Sequence, residues 1–227
     1  MNTGKLLVIS IFLNAIVTTV RAEAPASGVP DKVAATPIYP TIDESIAKGD
    51  LKDVQTHLML NPENANKGAT EKSRPPLEQA ILRNKTDIAI LLMSSGAKTN
   101  SNLPAARTPL HLAVERNNPQ IVAALLKAGA TPNVRDKDGW TPLHHAAAKN
   151  QLETAKILLA SGADPMILSE LGGTALHEAA VSGGREIIHI LLDHKVDSKI
   201  ISKENVTALD IAKKYNNQPA IEVLSGK

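Results

Sequence analysis

The sequence predicts an all-α repeat solenoid, in which short helix pairs stack side by side on one continuous core. Three observations predict it. A six-residue phrase, Thr141-Pro142-Leu143-His144-His145-Ala146, returns as Thr108-Pro109-Leu110-His111-Leu112-Ala113, Thr174-Ala175-Leu176-His177-Glu178-Ala179 and Thr207-Ala208-Leu209-Asp210-Ile211-Ala212, with a weaker copy at Pro75-Pro76-Leu77-Glu78-Gln79-Ala80. The copies start at 75, 108, 141, 174 and 207, a constant step of 33. A second apolar stretch follows within each step and stops at Gly96, Gly129 or Gly162 in three of them.

Each element follows from residue chemistry. A Thr hydroxyl can accept from a backbone N–H one turn into a helix. Proline fits the first helical position, where its missing N–H would have had no partner. Leu143 and Ala146 lie three apart and share a face, with Ala small enough for a neighbouring helix to come close. Asn117 to Ala130 carries a broad apolar face and ends at Gly129, which can take the left-handed conformation of a helix end. One such unit cannot bury its apolar face alone, so neighbours must stack.

With this period and a Thr-Pro-Leu-His-x-Ala phrase, the chain resembles the ankyrin-repeat family over about four-fifths of its length. The resemblance implies an all-α ankyrin solenoid of about six helix-turn-helix units with short β-hairpin fingers. The array spans 42–227, with units starting near 42, 75, 108, 141, 174 and 207. The first unit is an irregular cap lacking the phrase, followed by a longer loop from Asn61 to Arg74. The last, Thr207 to Leu224, lacks the closing Gly-Ala loop. In the fifth unit Lys195 replaces the helix-ending glycine, so that loop is strained or differently shaped. Asp136-Lys137-Asp138-Gly139-Trp140 has the Asp-x-x-Gly that tightens a finger, whereas Leu103 to Arg107 lacks it.

Ahead of the array, residues 1–22 read as a secretory signal peptide: Lys5, an apolar run from Leu6 to Val20, and Val20-Arg21-Ala22 as a cleavage site. An uncleaved anchor is the other reading, disfavoured by a run shorter than the about 20 residues of a membrane span. No cysteine is present, which excludes a lipoprotein, disulfides and thiolate chemistry. Cleavage removes two bases, Lys5 and Arg21, and no acids, leaving 23 bases against 23 acids. A neutral mature chain with almost no aromatic residues argues against nucleic-acid binding. Residues 23–41 hold Pro25, Pro30, Pro37 and Pro40 among small residues and read as a flexible Pro/Ala-rich linker.

The residues that invite chemistry read as structural. The resemblance implies that Thr108, His111, Thr141, His144, Thr174, His177 and Thr207 hold the helix starts through hydrogen bonds. Equivalent histidines stand a whole repeat apart, too far to share one ion with ligand bonds of roughly 2 Å. His177-Glu178 opens like a zinc-protease motif, but Val181 stands where its second His belongs. No metal, cofactor or catalytic residue is expected, and no phosphate loop is present. Two sequons, at Asn84 and Asn205, matter only in a eukaryotic secretory pathway.

What remains is surface. In the ankyrin family, partners are gripped by the finger tips and the exposed side of the first helices. Carried over position by position, that surface comprises Arg74, Arg83, Arg107, Glu115, Arg116, Lys137, Trp140, Lys149, Lys203 and Tyr215. It is mostly basic, and Trp and Arg are enriched in binding hot spots. The expected function is non-enzymatic binding of another protein with an acidic or mixed surface, through the concave face. The chain is expected to act as a monomer outside the cytoplasm, in a bacterial periplasm or alternatively as a secreted protein. An inhibitor or immunity protein blocking a toxin or enzyme, a scaffold, and a host-directed effector are its concrete versions. An enzyme and an inert spacer are the competing classes.

Overall fold

The computed structural model describes residues 36–101 and 106–226. The expected signal peptide, most of the linker and residues 102–105 lie outside the described residues. Within them the chain forms twelve α-helices in six consecutive pairs. These are α1 (Ile42–Lys48) with α2 (Leu51–Leu60), α3 (Pro76–Leu82) with α4 (Thr86–Ser94), and α5 (Pro109–Glu115) with α6 (Pro119–Lys127). There follow α7 (Pro142–Ala148) with α8 (Leu152–Ala160), α9 (Ala175–Ser182) with α10 (Arg185–Asp193), and α11 (Ala208–Lys214) with α12 (Gln218–Leu224). A 3-10 turn, Pro62–Ala65, opens the long loop after the first pair.

The period of 33 appears directly in the core. Leu77, Leu110, Leu143 and Leu176 of the first helices are buried, and so are Leu92, Leu125, Leu158 and Leu191 of the second. Between them Ala80, Ala113, Ala146, Ala179 and Ala212 have no exposed surface, the signature of close helix approach. Helices of seven to ten residues are marginal in water on their own, so stacking is what holds them helical. The turn between the two helices is closed by Asn84, Asn117, Asn150 and Asn216, all at left-handed φ of 51 to 56°. Asparagine tolerates that region better than other residues carrying a Cβ. In the fifth unit the turn is rebuilt around Gly183 at φ −69°, where a Cβ would meet the Ala179 carbonyl at 2.5 Å.

An asparagine ladder ties the loops of successive units. Asn66 Nδ2 donates to the Gly96 carbonyl while its Oδ1 accepts from the Lys98 N–H, at 2.9 and 2.8 Å. Asn100 does the same with Gly129 and Thr131, and Asn133 with Gly162 and Asp164. Met166 occupies the next rung. The loop it faces is the one in which Lys195, not glycine, takes the left-handed conformation at φ +62°.

Two expectations are corrected. The fingers are tight turns rather than β-hairpins, and among the described residues there is no strand. Each closes with one cross-turn pairing, Asp136 N–H to Trp140 O, Ser169 N–H to Gly173 O and Ser202 N–H to Val206 O, too few for a ladder. Neighbouring fingers join through single backbone bonds, Glu170 N–H to Asp138 O and Lys203 N–H to Leu171 O. The linker, second, is not free up to residue 41. Ile38 and Tyr39 donate their N–H groups to the two oxygens of Asp53 on α2, and the Tyr39 carbonyl meets His57 Nε2 at 3.0 Å. Asp53 is buried and also accepts from the Ser45 hydroxyl at 2.7 Å. Burial works to raise the Asp53 carboxyl, but those hydrogen bonds outweigh it and hold it below the usual carboxylate range.

Candidate functional site

The phrase that opens the first helices builds a reciprocal cap. Thr108 N–H donates to His111 Nδ1 at 3.2 Å, Thr141 to His144 at 3.2 Å and Thr174 to His177 at 3.1 Å. Because Nδ1 accepts there, Nε2 carries the proton and donates onward to the next unit. Its acceptors are the carbonyls of Trp140 (3.2 Å), Gly173 (3.3 Å) and Ile200 (3.1 Å). Each of these histidines therefore caps its own helix and pins the neighbouring finger. Burial pushes His111 and His144 down to about 4, and His177 down as well, which keeps the rings neutral. Thr207 pairs with Asp210 in the same box at 3.0 Å.

The junction of the third and fourth units carries a cluster that the spacing argument does not reveal. His111 and His145 are not equivalent positions, and the one-residue offset brings their rings edge to face at 5.7 Å. Asp136 joins them, its Oδ2 2.8 Å from His145 Nε2, while its Oδ1 accepts from the N–H groups of Asp138 and Trp140. One ligand atom from each of the three lies within 4.8 Å of the others, and all three residues are buried. The trio does not suit a metal ion. A ligand must offer a lone pair, whereas His111 Nε2 carries the proton that it gives to Trp140 O, as in the two other caps. The cluster is a closed hydrogen-bonded core for the finger. Burial acts to raise the Asp136 carboxyl, and the bonds from His145, Trp140 and Asp138 override it and lower it.

Trp140 belongs to that cluster, so the residue assigned to the binding surface also packs against the array. Its indole stacks on His144 at 6.3 Å and meets His145 edge-on at 5.0 Å, leaving the ring only partly exposed. One unit on, Glu178 holds the position of His145 and Ser169 that of Asp136. Burial pushes the Glu178 carboxyl up to about 7, and among the described residues no donor pairs with it.

The other surface positions sort by what they touch. Arg107 is half-buried and paired with Glu115 at 2.8 Å. Arg83 and Lys149 reach the carbonyls of Gln79 and Glu115 only at 3.5 Å, long for a hydrogen bond. Arg74, Arg116, Lys137 and Lys203 are exposed and form no ion pair among the described residues, although the charge of Arg74 reaches Glu78. Tyr215 is 55% exposed, with the Lys214 ammonium 5.7 Å from its ring centre. The strip is thus less basic than the sequence implies, because Arg107 and Glu115 cancel.

A family model described as Ankyrin repeats (3 copies) matches residues 77–169 and 161–227. The chain belongs to the ankyrin-repeat family. No curated protein matches it. The ankyrin fold is that of a protein-interaction module, and His111, His144, His145 and His177 with Thr108, Thr141, Thr174 and Asp136 are committed to holding helix starts and units together. Among the described residues no helix is long and apolar enough to cross a membrane.

Proposed function

We propose that this ankyrin array is a non-enzymatic binder of another protein, acting outside the cytoplasm through the surface formed by its fingers and first-helix ends. The observation that carries the reading is a division of labour among polar side chains. Most of the buried ones have a structural partner within the array, whereas exposed Arg74, Arg116, Lys137 and Lys203 form no ion pair among the described residues. Charged side chains in that row suit a partner with an acidic or mixed surface. Action outside the cytoplasm, in a bacterial periplasm, rests on the signal-peptide pattern of residues 1–22.

The test uses charge reversal at two exposed positions, Arg116→Glu and Lys149→Glu, because Trp140→Ala would also strip the cover from His144 and His145. Crosslinked capture from the periplasmic fraction, with the wild-type chain and the double variant as baits, should yield a partner that the variant loses by about tenfold or more. The two baits should melt at the same temperature. Equal capture by both would remove the concave surface from the proposal.

A further inference from the structure

The asparagine ladder stops at a thioether. Asn66, Asn100 and Asn133 each donate to a carbonyl of the next loop and accept from the N–H two residues beyond it. Met166 holds the next position, 33 residues after Asn133. The loop of the fifth unit keeps the shape that the other rungs grip. Lys195 and Val196 donate to the carbonyls of Leu192 and Leu191, as Gly129 and Ala130 do to those of Leu126 and Leu125. Lys195 also shares the left-handed φ of Gly129. The Asp197 N–H therefore stands where those of Lys98, Thr131 and Asp164 stand, yet it meets no acceptor among the described residues. A thioether sulfur is too weak an acceptor to serve it.

One chemical step changes that. The chain has no cysteine, so its thioethers are what a peroxide oxidises. Met166 is 40% exposed, Met59 on α2 is 70% exposed, and Met93 is half-buried against the core. The sulfur lone pair takes one oxygen from hydrogen peroxide as the O–O bond breaks. Sulfur gives up two electrons, and the other oxygen leaves as water. The product is a sulfoxide, whose oxygen is a polar acceptor. That oxygen sits as far from Cβ as the Oε1 of a glutamine, one bond further than the Oδ1 of an asparagine. The unbranched side chain has the freedom to bring it round. A sulfoxide has no hydrogen to give the Lys195 carbonyl, so it restores only the accepting half of the rung.

We propose that Met166 is a reversible oxidation site for peroxides, whose sulfoxide oxygen accepts from the Asp197 N–H and tightens the seam between the fourth and fifth units. The sign is the reverse of the usual one. Oxidation of a core methionine puts a polar group among apolar neighbours and loosens the packing. Met166 already faces water, and the position it holds is one that the three preceding units fill with an acceptor oxygen.

The test is amide hydrogen exchange before and after hydrogen peroxide, with peptide mapping to locate the sulfoxide. All chains carry Met59→Leu, so that peroxide meets one exposed sulfur among the described residues. Oxidation should slow exchange of the Asp197 amide by about fivefold, the worth of one net hydrogen bond. Treatment with the two epimer-specific sulfoxide reductases and a dithiol should return it to the starting rate. Met166→Leu should not respond to peroxide, and Met166→Gln should show the slower exchange with no peroxide at all. Faster or unchanged exchange at Asp197, once mapping shows Met166 oxidised, would overturn the proposal. So would the same response in the Met166→Leu chain, or a Met166 that peroxide leaves unoxidised.

Discussion

His111 and His144 set how the array responds to acid. In the folded chain burial holds both near 4, and in the unfolded chain they titrate near 6.5. Between those values the unfolded chain binds more protons, so the stability is fully present above pH 6.5 and is lost as pH falls toward 4. The gap corresponds to on the order of 3 kcal/mol per residue at the acid end. Glu178 works the other way. Its folded value, about 7 against 4.5, means that the fold penalises the carboxylate above pH 7 and is relieved as pH falls to 4.5. Urea unfolding should therefore show stability falling between pH 6.5 and 4. Glu178→Gln should stabilise the chain at pH 8, leave it unchanged below 4.5, and so steepen the fall. A profile that rises toward pH 5 in that variant would remove the buried histidines as its cause.

At the scale of an element, α5 and α7 show what the sequence makes legible and α2 what it hides. Helix starts are readable because Thr, Pro and His each act on the backbone within four residues, so the phrase encodes the cap by itself. The strap at Ile38 and Tyr39 is not readable, because its tie is from main-chain N–H groups to a carboxylate fifteen residues away, and any residues could supply those donors. The cluster at Asp136, His111 and His145 was hidden for a related reason: the offset between non-equivalent positions of neighbouring units appears only once the units are stacked. Asp53 is the main point that fixes the strap, with two backbone donors and the Ser45 hydroxyl converging on it, beside the bond between His57 and the Tyr39 carbonyl. Removing it leaves the buried Ser45 hydroxyl and the part-buried Ile38 and Tyr39 N–H groups without that acceptor, at about 1–3 kcal/mol for each one that water cannot reach. Asp53→Ala should lower the melting temperature and raise hydrogen exchange at the Ile38 and Tyr39 amides, leaving amides of α7 and α9 protected. Unchanged exchange at both would show that the strap is held by something other than Asp53.

In the whole molecule, stability is a sum of units and of the seams between them, so one weak seam decides where the array opens. The seam after the fourth unit is the candidate. There Met166 ends the asparagine ladder, and in that register its rung would face the Lys195 carbonyl and the Asp197 N–H. In the same loop Lys195 holds a left-handed backbone that costs a residue with a Cβ roughly 1–2 kcal/mol and glycine almost nothing. No atom lies within 4 Å of a Cβ built on Gly96, Gly129 or Gly162, so at this loop position the backbone angle alone favours glycine. Lys195→Gly should stabilise the array by about 1 kcal/mol, and adding Met166→Asn should contribute roughly another 1 kcal/mol through the restored rung. Native-state hydrogen exchange should show α9 to α12 opening at lower free energy than α3 to α8 in the wild type, and the difference narrowing in the double variant. Uniform exchange across all units would refute the weak seam.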